Sequence, residues 1–236
     1  MPITSILVLY LLWRLARYLF SHRPRPRFTT RKHGALLLAL PYAEATEMNT
    51  FFDASRRRPA TAPDTALRAQ LLHQMGLRVD ASDTDARAHL ERTFERQWFR
   101  MDLHTLQPTD EPRAALAFAC ARTAFFARAV MLMQWVAPEY AWRVLLLNAQ
   151  RAHDCFESWE DYGRAFITGR RQWIAAFRAD PFGKAFDTAA LQRWLAPRSG
   201  VWSRAAWPGL PAFDPRPSKT MRHGKNFFCF PKQKSA

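Results

Sequence analysis

Cysteine is scarce in this chain. Three occur among 236 residues, Cys120, Cys155 and Cys229, and no two form a CxxC pair. That excludes a disulfide scaffold and a thiolate zinc site of the usual spacing. Glycine is scarce as well: eight residues leave little room for glycine-rich phosphate loops or many tight hairpins. GxSxG, P-loop, GxGxxG and HExxH patterns are absent, which removes the common hydrolase, nucleotide and metalloprotease signatures. Seven histidines show no metal-ligand spacing. His153, Asp154 and Cys155 are adjacent, so on a helix they point in different directions and cannot share one metal. The same geometry makes Cys155 and His153 a poor nucleophile–base pair. Neither a metal nor a cofactor is expected, and no specific reaction is legible. Only six of the 35 basic residues are lysine; with abundant alanine, that bias fits a GC-rich bacterial genome.

Hydrophobic residues make up 48 % of the chain and charged ones 23 %, enough to bury a globular core. The formal net charge is +15, but it is unevenly placed. Residues 1–32 carry seven basic residues and no acid, and residues 212–236 carry six against Asp214. The body between them is only +3. A nucleic-acid-binding domain is expected to carry a basic face on its body, so nucleic acid is disfavoured as a partner. Basic flanks beside an apolar segment point to anionic lipid instead.

That segment is Ile3 to Phe20, ITSILVLYLLWRLARYLF. Eighteen helical residues span roughly 27 Å, close to the hydrocarbon thickness of a bilayer. Arg14 and Arg17 lie near its end, where long side chains reach the interface, and Tyr10, Trp13 and Tyr18 suit the headgroup level. A secretory signal peptide fits poorly: no basic region precedes the apolar run and no small-x-small site follows it. The preferred reading is a membrane anchor, spanning or interfacial; the alternative is an amphipathic helix packed on the protein's own core. Because the charges follow the apolar run, the positive-inside rule keeps the rest of the chain cytoplasmic, at a bacterial inner membrane. Residues 23–33 follow as a basic linker that Pro24 and Pro26 keep extended.

From residue 34 the periodicity is helical. Residues 34–52 form a buried helix that Pro41 breaks or kinks, and 53–63 a loop. Asp64 caps a short helix that Gly76 ends. Ser82 and Asp85 form a capping box opening a longer helix through Leu90, Phe94, Trp98 and Met101. Residues 111–135 match a membrane span in length, but Arg113, Arg122 and Arg128 space charge along them, so a central core helix is predicted. Pro138 starts a helix to Ala152. Ser158, with Asp161 three residues on, starts another, whose Trp159, Tyr162, Phe166, Trp173 and Phe177 share one face joined by Trp98 and Trp142. Asp187 caps the last helix, to Leu195. Prolines dominate beyond residue 196, with Trp202 and Trp207 placed to pack that arm on the body. The predicted architecture is all-α: an anchor helix (1–22), a basic linker (23–33), one helical domain (34–196) and an irregular, proline-rich basic arm (197–236).

The segment SWEDYGRAFITGRRQW, residues 158–173, resembles the C-terminal signature of the YbeU/YbeR-like family of bacterial proteins, domain of unknown function 1266. Ser158, Trp159, Asp161, Tyr162, Gly163, Phe166, Gly169, Arg170 and Trp173 carry that resemblance. Residues 122–142 resemble the family's arginine-bearing central helix, with Arg122 and Arg128 at its spacing, and the segment from Leu71 resembles an upstream element in which Met75 replaces tryptophan before Gly76. Where the family commonly has Trp-Asp, this chain has Phe118 and Ala119. The resemblance covers about residues 67–175. It implies a helical fold and brings no established activity.

Four arginines are the candidate ligand-binding residues: Arg122, Arg128, Arg164 and Arg170. A buried arginine needs partners. One reading is an ion-pair network with Asp154, Glu157, Glu160 and Asp161 that fixes helix register. The other is a cleft in which Arg122 and Arg170 offer planar forks to a phosphate or carboxylate. Gly163 and Gly169 mark either close helix–helix approach or a helix broken near Gly169 with free N–H groups. The functional expectation is a membrane-anchored cytoplasmic accessory domain with an unknown protein partner; the alternative is an enzyme or binding domain for an anionic small molecule.

Overall fold

The structure is a computed structural model describing residues 31–46, 50–57, 65–98, 106–176, 186–205 and 207. Among the described residues the regular structure is helical, eight α-helices with no strand, so the fold is all-α.

The first helical stretch is two helices, α1 (Arg31–Leu37) and α2 (Leu40–Ala45). Pro41 sits in the first turn of α2, where its missing N–H has no intrahelical acceptor to lose. Helical structure starts at Arg31, inside the expected linker. Ala35 to Leu40 are all within 1 % of full burial, so the chain enters the core within four residues of that start. Helix α3 (Thr65–Gln74) ends at Gly76, whose φ is +71°. Gly76 N–H donates to His73 O and Leu77 N–H to Leu72 O, both at 2.9 Å, the paired bonds of a Schellman stop. Helix α4 (Asp83–Thr93) opens on the complete capping box. Ser82 Oγ accepts from the Asp85 N–H and the Asp85 carboxylate accepts from the Ser82 N–H, each at 3.1 Å. A π-helical turn, Phe94–Trp98, continues it.

Helix α5 (Pro112–Leu132) is the centre of the molecule. Seventeen of its 21 residues are buried, so it has no solvent face. It is the one helix among those described that is long and apolar enough to cross a membrane, yet 89 % of its apolar window is covered by the rest of the protein. It is therefore a core helix. Eight of its buried residues are alanine, which lets neighbouring backbones come close. α5 packs most extensively on α7 (Trp159–Ala175) and next on α6 (Pro138–Cys155). α6 runs antiparallel to it: Asn148 Nδ2 donates to Cys120 O at 2.8 Å, while seven residues along both helices Arg113 Nε donates to Cys155 O at 3.1 Å.

Helix α8 (Thr188–Leu195) is capped by Asp187, whose Oδ1 accepts from the Ala190 N–H at 2.9 Å. The chain then folds back through a 3₁₀ turn, Trp202–Arg204. Trp202 and Trp207 belong to the core. Trp159 stacks on Trp202 at 5.2 Å and meets Trp207 edge-on at 4.6 Å. Each indole N–H has an acceptor: Trp159 on Ala205 O, Trp202 on Leu37 O, Trp207 on Phe156 O and Trp194 on the Glu44 carboxylate. Tyr162 Oη donates to Leu38 O at 3.0 Å. Burying each ring is worth roughly 1.5–3 kcal/mol, and the polar tips are satisfied. The predicted anchor (residues 3–20), most of the linker and residues 208–236 of the arm lie outside the described residues, as do Asp64, Met101 and Phe177.

Candidate functional site

The two candidate arginines of each helix point different ways. On each of α5 and α7 the two are six residues apart, which rotates them about 120° from one another around the helix axis. Their contacts follow that geometry.

Arg128 is fully buried. Among the described residues its guanidinium has no carboxylate ion pair. It donates to four backbone carbonyls of one short segment: Nε to Phe51 O and Nη1 to Arg56 O at 3.0 Å, Nη2 to Asp53 O at 2.6 Å and to Thr50 O at 3.4 Å. Burial lowers its pKa to about 10, with Asp53 acting the other way, so it stays charged at neutral pH. The Trp142 ring lies 5.9 Å away. This arginine gathers a non-helical segment by its carbonyls, a partial-charge solution to burying a cation.

Arg122 is half-buried and lies over Trp173 at 4.5 Å and Phe118 at 5.5 Å. Arg170, also half-buried, lies 5.1 Å from the Phe186 ring. Arg164 is exposed and pairs with Glu160 one turn earlier. Arg128 is thus held by carbonyls, Arg122 and Arg170 lie against aromatic faces, and Arg164 pairs with the surface carboxylate expected for it. Among the proposed acidic partners, Glu160 pairs with Arg164.

Asp161 has a different partner. Arg113, which sequence reasoning passed over, donates to its carboxylate and lies 4.6 Å from the Phe156 ring. The carboxylate also accepts from the Glu157 N–H at 2.9 Å. The bond from Arg113, more than the backbone bond, holds its pKa below the usual range. Ser158 caps α7 as predicted, accepting from the Asp161 N–H at 3.1 Å. The return bond of a capping box goes instead to the neighbouring amide. Together with the bond to Cys155 O, Arg113 ties the starts of α5 and α7 to the end of α6.

Gly163 and Gly169 mark close approach. A methyl at Gly163 would run into Leu191 and Trp202, and one at Gly169 into the backbone carbonyl of Ala114. α7 is continuous from Trp159 to Ala175, so the broken-helix reading of Gly169 is overturned. Trp159, Tyr162 and Phe166 form the predicted core face; Trp173, one turn from the end, is half-buried.

A polar cluster in the core also escaped sequence reasoning. Asn148 is fully buried and bridges Cys120 O to Arg151, whose Nη2 donates to Asn148 Oδ1 at 2.9 Å. The signal was its position: residue 148 shares the buried stripe of Leu145, Ala149 and Ala152. Burial pushes the Cys120 thiol up to about 11, which keeps it protonated and inert. The antiparallel register places Cys155 about 10 Å further along the helix pair, out of disulfide reach.

A shallow open groove of about 520 Å³ lies beside α4, with Arg78, Asp80, Asp85, His89 and Arg92 on its walls. Its charge is balanced, since Arg78 pairs with Asp80 at 3.0 Å and Asp85 serves the capping box. Burial first, and Arg92 second, push the His89 pKa down, which favours its neutral form. None of the four candidate arginines lines this groove. Among the described residues no three His, Cys, Asp or Glu side chains converge on a metal position.

The family model for proteins of unknown function DUF1266 matches residues 40–207. The chain belongs to that family. No curated protein and no solved structure matches it. The DUF1266 region begins at α2 and ends at Trp207, the last described indole, so it contains the α5–α6–α7 centre and the aromatic closure. The residues whose resemblance was drawn from sequence, Ser158, Trp159, Asp161, Tyr162, Gly163, Gly169 and Trp173, all lie on α7 or its cap. In this DUF1266 domain they act as cap, core face and contact points for α5, α8 and the 3₁₀ turn.

Proposed function

We propose that this DUF1266 protein is a membrane-tethered accessory module, its helical body held at the cytoplasmic face of a bacterial inner membrane by residues 3–20 and acting through contact with another protein. The observation that supports this best is how the chain joins the two parts. An apolar segment with seven basic residues and no acid in its neighbourhood leads, ten residues later, into α1, whose Ala35 to Leu40 are core. A tether inserted so directly holds the body near the surface rather than letting it range freely. The candidate arginines favour the same reading, because each is engaged within the fold. An anion-binding cleft needs free guanidinium forks, and Arg128 spends its fork on carbonyls while Arg164 pairs with Glu160.

The test is fractionation of the full chain and of a chain lacking residues 1–22. The full chain pellets with membranes and resists high salt; the truncated chain is soluble and melts as one unit. Full-length protein that salt strips from the membrane would overturn the tether. Pull-down of the detergent-solubilised full chain, beside an Arg122→Ala/Arg170→Ala variant, tests the interaction role. Both forms retain the same protein partner; a small anion lost from a folded variant would make this a ligand-binding domain instead.

A further inference from the structure

The body has one face where its own surface matches what the tether leads to. Arg31 and Lys32 open α1 and are exposed. α1 packs on α6, and Lys32 Nζ stands 4.8 Å from the Trp142 ring on α6. Trp142 and Leu146, one turn apart, are half-buried, and Leu147 beside them is 44 % exposed. So where the tether enters the body, two exposed cations border a strip of aromatic and aliphatic side chains. Arg143 lies nearby but is held by Glu95 at 3.7 Å and adds little net charge, and the exposed Glu139 sits one turn before Trp142, so the positive charge is confined to the α1 edge. A cationic edge along an apolar strip is the composition of surfaces that lie in a headgroup layer.

We infer that this α1–α6 face docks on anionic lipid headgroups. The inference rests on the tether proposed above. Residues 21–30 span at most about 35 Å, so the face stays at high effective concentration at the bilayer once residues 3–20 are attached. Under those conditions a small number of cations suffices, because each surface-adjacent Lys or Arg already draws appreciable attraction from an anionic leaflet. Docking there sets the orientation of the body: α1 and the first half of α6 face the lipid. The end of α6, where Trp207 closes on Phe156, lies about 20 Å along the helix from Trp142. A protein partner would meet the body away from the α1–α6 face.

The test uses the full chain reconstituted in two kinds of vesicle, phosphatidylcholine alone and phosphatidylcholine containing phosphatidylglycerol. Flotation at high salt reads the tether; hydrogen exchange of residues 31–34 and 138–147 reads the docking. The protein floats with both vesicles, and exchange in those segments slows roughly tenfold or more only when phosphatidylglycerol is present, the scale expected for two surface-adjacent cations. Arg31→Glu/Lys32→Glu removes the slowing and still floats, while Arg31→Lys/Lys32→Arg keeps it. Equal exchange in both vesicles, with flotation intact, overturns the docking face and leaves the tether standing. Failure to float with either overturns the tether and the face with it. Slowing that survives the charge reversal assigns the contact to other residues and also overturns this inference.

Discussion

Helices α5 and α7 cross the same core and carry the same device, two arginines six residues apart, yet they use it differently. α5 is covered on all sides, so Arg128 is surrounded by protein and finds its acceptors among main-chain carbonyls. α7 has one solvent edge, and Arg164 turns outward to Glu160. Arg122 and Arg170 are intermediate in burial and lie against aromatic rings. The residue type is constant; the fraction of helix surface covered decides whether an arginine becomes an internal organiser, a ring partner or a solvated charge. A cation can sit in a dry interior without a carboxylate if enough oriented carbonyls surround it.

The largest break in that comparison comes from Arg128→Met. It leaves four carbonyls of the 50–56 segment without their donor, at about 1–3 kcal/mol for a buried unsatisfied group. The expected loss is on the order of 4 kcal/mol or more, read by denaturant unfolding. A variant as stable as wild type would mean the segment finds other donors. Gly169→Ala probes where the two helices touch. The added methyl meets the Ala114 backbone, and overpacking of this kind costs roughly 1–3 kcal/mol; an unchanged melt would show that α7 can shift away at no cost.

A subtler probe is acid. The folded Asp161 pKa lies below its unfolded value, held there first by Arg113. Its contribution is therefore present above the unfolded pKa and is lost as pH falls through the folded one. Asp161→Asn should lower stability at neutral pH and flatten the acid limb below about pH 4; an acid limb identical to wild type would remove the Arg113 bond from the account. At the end of α5, Gln134 holds φ at +61°, closing a stop like that at Gly76 with Trp135 N–H on Val130 O at 3.0 Å. Gln134→Gly should stabilise by roughly 0.5–1 kcal/mol, and an unchanged melting temperature would show that the positive φ carries no strain here. The smallest effect is expected on α7: Arg164→Ala should cost about 0.3–0.5 kcal/mol, the worth of an exposed pair one turn apart. A loss near that of Arg128→Met would erase the distinction between the two helices.

What could be read ahead of the structure was local. Ser82, Ser158 and Asp187 announce helix starts because their side chains bond amides two or three residues on. Pro41, Pro138 and Gly76 announce breaks through a missing donor or a positive φ. The burial of α5 was legible from its apolar length interrupted by arginines. The partners of those arginines were not, because main-chain carbonyls look alike in every sequence. Nothing in residues 50–56 marks them as the acceptors of a side chain more than seventy positions away. The same holds for Arg113, whose bonds reach the end of one helix and the start of another. Charge patterning suggested carboxylates as partners, which Arg164 has in Glu160; for Arg128 packing supplied carbonyls instead.

The indole at Trp202 has a consequence for how the chain is made. Its bond to Leu37 O spans 165 residues, and Trp194 reaches Glu44 across 150. At about 5–20 residues per second, a ribosome needs on the order of 10–30 seconds to deliver Trp202 after Leu37 has emerged. Throughout that interval the Ala35–Leu40 strip has no closing partner from the far end of the sequence. Until then the strip lacks the far-end indoles that cover it in the folded protein. A chain arrested before Trp202 should therefore stay incompletely packed and aggregate more readily than the full chain, which a proteolysis or solubility assay of the arrested chain reads.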